Sequence, residues 1–356
     1  MQAAAVRAIE RYGTGSGASR LICGSLRPHH DLEERLAHLK RCEAALSFSS
    51  GYSAAHGVIG ALVGAGDTVV LDKRCHASLV DGAKLSGAKL RIFRHNDLSN
   101  LERILKWADL RANGDASSSH CLVVTESIFS MDGDHAPLPG LVALKEKYGA
   151  WLMVDEAHST GLYGERGAGL AEHFQLSNQV DIQMGTLGKA LGSHGGFICG
   201  SRNLTDLIIN RARSFIFSTA PAPATAAAAG AAVDFVLSEK GKARRQTLWA
   251  RVEELFKAMA RTNSEVPSAI IPIMIGGESQ AVDLAKQLLD RGIYLPAIRY
   301  PSVPRKKSRL RLTVTAKHSS DEILQLTQAL QELDLCFSNE KVGLTRLLNQ
   351  TAANRP

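Results

Sequence analysis

Aromatic side chains are scarce, at 5% of the 356 residues. Few stacking platforms are therefore on offer to nucleic acid, and the net charge of +7, from 42 Lys and Arg against 35 Asp and Glu, is spread along the chain. A basic surface facing a small polyanionic substrate accounts for that excess as well as nucleic acid does, so no nucleic-acid partner is expected. No apolar run approaches the roughly 18 residues that cross a bilayer, and the opening MQAAAVRAIERYGTGSG has no apolar signal core. The expectation is a cytoplasmic protein with no membrane partner, organelle targeting being left open. Cys23, Cys42, Cys75, Cys121, Cys199 and Cys336 lie far apart with no CxxC or other zinc spacing, which predicts reduced thiols and no metal site. The glycine-rich GTGSGASR has neither a preceding strand nor the GK[ST] ending of a P-loop. No internal repeat is evident, and the tail KVGLTRLLNQTAANRP carries no readable targeting signal.

What is present is an ordinary globular balance, 45% hydrophobic and 22% charged, in a chain long enough for two domains at about 150 residues each. Short apolar runs alternate with helical patterns: DTVVLD (67–72), KLRIFR (89–94), CLVVTE (121–126), WLMVDE (151–156), DIQMGT (181–186) and GGFICG (195–200). Runs without period-two alternation suit strands buried on both faces of a mostly parallel sheet. The predicted fold is α/β, with a large domain over 1–235 and a smaller C-terminal α/β domain over 236–356. PAPATAAAAGAAVDFVLSEKGKARRQTLWARVEELFKAM reads as one long helix connecting them after its prolines. Beyond it, AIIPIMIG, IYLPAI and RLRLTVTA read as strands, and SSDEILQLTQAL as a helix opened by a serine cap.

Ligands of such sheets sit beyond the carboxyl ends of the strands, so His76, Ser130, Asp155, His158, Thr186 and Lys189 are the first candidates for chemistry. Lys189, among the small residues of MGTLGKALGSHGG, is of the type that forms a Schiff base with an aldehyde, although an isolated lysine is ordinarily a solvated one. Asp155 ends a very apolar strand and needs a cationic partner or a cap to make; His158 follows three residues on. SGYSAAHGVIGAL places Gly51 and Tyr52 after strand-like ALSFSS at the start of a helix, where backbone N–H groups bind phosphate. Arg309 and Arg311 alternate with Leu310 and Leu312, so both arginines share one strand face and both leucines the other. A guanidinium fork there matches a carboxylate.

Aspartate, then histidine, then lysine 34 residues after the aspartate is an arrangement that resembles fold-type I pyridoxal phosphate enzymes. The blocks GTGSGASRLICGSLRPHHDLEERLA, DKRCHASLVDGA, VVTESIFSMDGDHAPL, DEAHSTGLYGERGAG, GTLGKALGSHGGFICG, RSFIFSTAPAPA and SRLRLTVTAKHSS, in this order, resemble the α-oxoamine synthases over nearly the whole chain. The resemblance implies pyridoxal 5'-phosphate as cofactor and the decarboxylative condensation of an amino acid with an acyl-CoA. HASLVDGA, FSMDGDHAPL, RSFIFSTA and AIRYPSVP are most similar to the members that join L-alanine to pimeloyl-CoA or another pimeloyl thioester. Members acting on glycine or serine, and a non-catalytic partner subunit, are the alternatives.

The resemblance also assigns roles. Lys189 holds the cofactor and then works as base on the substrate Cα; Asp155 keeps the ring nitrogen protonated; His158 and Ser130 bond near the ring's phenolate oxygen; His76 stacks on the ring. Gly51, Tyr52 and Thr186 bind the phosphate, and Thr219 reaches the phosphate of a partner subunit, implying a homodimer with shared sites. Arg311 takes the substrate carboxylate, with Ser302 and Arg299 as further substrate contacts. RKKSRLR is expected to be mostly a solvated loop. His56 stands where many relatives have asparagine. Relatives carry several tens of residues before GTGSG, so a shortened gene product is expected.

Overall fold

The apolar runs become strands because each sheet face is covered by helices. In the computed structural model, which describes residues 1–112, 119–259 and 266–335, the chain divides into two compact units. One comprises Met1–Phe129 and His135–Ala243; the other comprises Ser130–Asp134 and the described part of Arg244–Pro356. Cys336 and the tail KVGLTRLLNQTAANRP lie outside the described residues.

The first unit holds a seven-stranded sheet of β1 (Ala44–Phe48), β2 (Thr68–Asp72), β3 (Lys89–Phe93), β4 (Cys121–Glu126), β5 (Trp151–Asp155), β6 (Ile182–Thr186) and β7 (Gly196–Gly200), in the order β1-β7-β6-β5-β4-β2-β3. The pairs from β3 through β6 are parallel, while β7 runs antiparallel to both β6 and β1. Alternation along β7 shows the two layers: Ile198 packs into the core with helices α3 (Gly51–Leu62) and α4 (Ala77–Leu85), and Phe197 and Cys199 into the core with Leu32, Leu36 and Leu39. Helices α1 (Gln2–Tyr12) and α2 (Arg27–Lys40) precede these elements.

The expected single connecting helix is two, Pro223–Leu237 and Glu239–Ala258. Ser238 turns to extended backbone between them, and its Oγ accepts from Gly241 N at 3.2 Å, opening the second helix. Glycine is required at 241, because a Cβ there would lie 2.1 Å from the Phe235 carbonyl oxygen.

In the second unit, β8 (Ile270–Gly276), β9 (Ala297–Ile298) and β10 (Ser308–Thr313) form an antiparallel sheet in the order β8-β10-β9. IYLPAI thus contributes two strand residues only. Leu310 and Leu312 are buried, as the alternation predicts. Arg309 is also buried, at 4% exposed, and bonds Asp132 at 2.6 Å and the Met131 carbonyl at 3.1 Å, so within RKKSRLR only Arg305, Lys306 and Lys307 are the exposed loop expected, and from Ser308 on the run is strand. The helix Ser320–Glu332 is opened by a reciprocal capping box of Ser319 and Glu322.

Candidate active site

The carboxyl ends of β4, β5 and β6 deliver Glu126, Asp155 and Thr186 to one edge of the sheet, where a cavity of about 170 Å³ opens. Around it stand Gly51, Tyr52, His76, Ser78, Asp155, His158, Thr186 and Lys189, together with Glu126. A larger groove, about 620 Å³, lies along the helix Gln2–Tyr12; it is lined mostly by alanines, arginines and acidic residues and holds none of the predicted groups.

Asp155 is 6% exposed, and its Oδ1 accepts the Ala157 N–H at 2.9 Å. Burial raises its proton affinity, and that N–H, Lys189 and His76 pull it back. The Asp155 carbonyl accepts from Ser127 N at 2.8 Å, and Glu156 N donates to the Met184 carbonyl at 2.7 Å, so the carboxylate is set at a strand end held from both sides. Lys189 is exposed in a loop closed by Leu187 N to Gly195 O, Ser193 N to Leu187 O and Gly192 N to Lys189 O, at 2.8–3.0 Å.

His76 is the N-cap of α4. Its Nδ1 accepts from Ser78 N at 3.2 Å, so the lone pair is on Nδ1 and a neutral ring carries its proton on Nε2. The His76 N–H itself donates to Glu126 Oε1 at 2.5 Å. At the opening of α3, Ser50 Oγ accepts from Ser53 N at 3.0 Å, and Ala54 N donates to the Ser50 carbonyl. Gly51 and Tyr52 therefore present the remaining N–H groups of the first turn. The approach of β7 to this turn requires Gly196, whose added Cβ would lie 2.4 Å from Ser50 O and 2.6 Å from Gly51 N. Thr186 Oγ1 donates to Gly195 O at 3.0 Å and accepts from Gly188 N at 3.2 Å beside this helix start.

The aminotransferase class I and II family profile matches residues 1–330. The 8-amino-7-oxononanoate synthase of Geobacter sulfurreducens is 49% identical over 337 residues, covering 94% of this chain and 84% of that protein. The chain belongs to the class I and II aminotransferase family. A serine palmitoyltransferase of S. paucimobilis with a bound pyridoxal phosphate–myriocin aldimine superposes with a TM-score of 0.85 at 32% identity, covering 94% of this chain and 84% of that one. The 8-amino-7-oxononanoate synthase of Francisella tularensis superposes at 0.77 with 28% identity, covering 94% and 92%. Within this aminotransferase family the chain is an α-oxoamine synthase, an acyltransferase that works with pyridoxal phosphate, and its fold is the fold-type I architecture.

The cavity's donor set fits that cofactor: an amine for the aldehyde at Lys189, a buried carboxylate for the ring nitrogen at Asp155, an imidazole at His76, and a helix start free of side-chain bulk at Gly51. Ser130, Arg299, Ser302 and Arg311 belong to the second unit, where Arg311 Nε donates to the Ser130 carbonyl at 2.6 Å. Thr219 is exposed, bridged to Ser19, and does not line the cavity. His56 packs its ring 4.3 Å from that of Tyr52, and its buried Nε2 has no hydrogen-bond partner among the described residues. Two lining residues with polar side chains escaped the sequence reading, Ser78 and Glu126. Glu126 ends CLVVTE as Asp155 ends its strand, so the strand-end rule that singled out Asp155 also singles out Glu126.

No helix among the described residues is long and apolar enough to cross a membrane.

Proposed function

We propose that this enzyme condenses L-alanine with pimeloyl-CoA, or an equivalent pimeloyl thioester, to give 8-amino-7-oxononanoate, CoA and CO2, the ketone-forming step of biotin biosynthesis. The observation that carries this reading is the convergence of Lys189, Asp155, His158 and His76 on one cavity in a chain 49% identical to an enzyme of that name.

Pyridoxal phosphate, when bound, supplies an electron sink for the carbanion at the amino acid Cα. The chain's own groups do the rest. Lys189 would hold the cofactor's aldehyde through its Nζ, and its amine would take the Cα proton of the amino acid and later return one. Its exposure at the cavity mouth lets the amine reach incoming substrate. Asp155 keeps the ring nitrogen protonated, which a buried carboxylate does well because its own charge needs that partner. His76 covers the ring face, with Nδ1 committed to Ser78 fixing the imidazole plane. His158 and Ser130 are assigned to the ring oxygen. Gly51, Tyr52 and Thr186 receive the phosphate. Arg311 is assigned to the substrate carboxylate, and Ser302 and Arg299 to further substrate contacts.

A homodimer with shared sites accompanies this reading, Thr219 serving the phosphate site of the partner. In its support, Leu21, Ile22 and Phe217 are exposed close in sequence to the Ser19–Thr219 bridge, and a second copy covering them would remove apolar surface from water.

The likeness to serine palmitoyltransferase makes amino acid choice the deciding measurement. CoA release is followed with alanine, glycine and serine, each against acetyl-, pimeloyl- and palmitoyl-CoA. Alanine with the pimeloyl thioester is expected to give the highest kcat/KM; efficient use of glycine or serine with little alanine turnover refutes the assignment.

A further inference from the structure

The proposed chemistry gives no part to Glu126, although it lines the cavity and is 3% exposed. Glu126 and Asp155 are register partners at the ends of parallel β4 and β5, so their side chains leave the same sheet face from adjacent strands. Two carboxylates buried side by side repel, and neither can lower its charge by turning to solvent. The other charged groups near the pair are largely committed. Asp72, ending β2, bonds His95 Nδ1 at 2.9 Å and the N–H groups of Arg74 and Asn96 at 2.8 Å. Glu156, following Asp155, is held by Lys40 at 2.5 Å. Among the described residues, Lys189, from the loop after β6, acts on both carboxylates, His76, before α4, acts on Asp155, and His158 lines the same cavity.

We propose that Glu126 is a neutral carboxylic acid in the folded protein near neutral pH, a positioning residue whose Oε1 holds the His76 N–H while the negative charge stays on Asp155. Burial and the Asp155 charge both push the Glu126 proton affinity well above the ordinary carboxylate range. The choice between the two carboxylates rests on the proposed function, in which Asp155 faces a cationic ring nitrogen. The His76 imidazole then hangs from a backbone fixed twice, by Glu126 at its N–H and by Ser78 at its ring.

Glu126→Gln keeps an acceptor for His76 N and a donor in place of the acid proton, so it separates neutral from charged. The first measurement is the melting temperature of the apoprotein between about pH 5 and 8. A group whose folded pKa is raised binds more protons folded than unfolded above its unfolded value of about 4.5. Wild type therefore loses stability relative to E126Q as pH rises through that window, and the E126Q advantage grows with pH. The second measurement is pyridoxal phosphate affinity. E126Q is expected within about threefold of wild type, and Glu126→Ala weaker by about tenfold, as for one lost hydrogen bond. A difference in melting temperature between E126Q and wild type that is flat with pH, or an E126Q that loses cofactor as fully as E126A, overturns the proposal. The apoprotein melting series involves no cofactor, so its failure overturns the neutral Glu126 and leaves the proposed function to the CoA-release assay.

Discussion

Replacing Lys40 by alanine tests whether the turn that carries Asp155 and His158 is held by a single buried cation. The Lys40 and Glu156 side chains are 0% and 1% exposed, with Nζ 2.5 Å from Oε2. The same Nζ donates to Thr160 Oγ1 at 3.0 Å and to the Ala168 carbonyl, while Glu156 Oε1 accepts from Ala171 N at 2.9 Å. Glu156, Thr160 and Ala168 all belong to the stretch following β5, so one ammonium ties that stretch to the end of the helix Arg27–Lys40. Truncation strands a buried carboxylate, which costs about 3–5 kcal/mol. At about 2–4 °C per kcal/mol for a large chain, the apoprotein melting temperature falls by about 10 °C. Cofactor affinity falls with it, because Asp155 and His158 are the residues loosened. Lys40→Met combined with Glu156→Gln removes both charges at similar volume and is expected to recover most of the loss. Thermal melts of the single and double variants decide. A fall below about 2 °C for Lys40→Ala, or a double variant as unstable as the sum of its parts, refutes the reasoning.

Gly196→Ala drives a Cβ into Ser50 O and Gly51 N, both backbone; cofactor binding followed by absorbance is expected to weaken by at least about tenfold. Lys189→Ala is expected to leave fold and far-UV circular dichroism intact but to remove the covalent attachment proposed for Lys189, so cofactor should leave the protein on gel filtration and turnover fall by about 1,000-fold or more. Burial pushes the thiols of Cys42 up to about 11 and Cys121 up to about 12, and those of Cys75 and Cys199 well up, while Cys23 is exposed. Thiolate being the nucleophile, mass mapping after brief alkylation near pH 8 should find Cys23 modified first among these five; early labelling of Cys121 would contradict the burial. Arg309→Met removes the ion pair with Asp132 at 2.6 Å, in which the Arg309 side chain is buried, and is expected to cost about 3 kcal/mol in a thermal melt.

Local chemistry made much of this protein legible in the sequence. Parallel strands buried on both faces must be apolar along their length, so WLMVDE and CLVVTE announce themselves, and the polar residue ending each has nowhere to go but the sheet edge. That is why Asp155, Thr186 and Lys189 could be singled out, and why Ser319 with Glu322 marked a helix start. The same rule covered Glu126, which went unread because nothing in one strand reveals which strand lies beside it. Register across β4 and β5 makes it the neighbour of Asp155, and so a matter of proton sharing.

Other features are non-local by nature. Lys40 reads as the last residue of a charged helix, and only packing carries its amine to Glu156, 116 residues away. The antiparallel β7 beside β6 depends on Gly196 fitting against the start of α3, a contact that no propensity encodes. The split at Ser238 follows from one serine oxygen capping a second helix against a carbonyl that only glycine can approach. Hydrophobic period and cap chemistry act over a few residues, so the sequence by itself determined the elements and the polar groups at their ends. Strand order, buried charge pairing and the proton balance at the cavity depend on which distant groups share a space that water cannot enter, and those the tertiary structure decided.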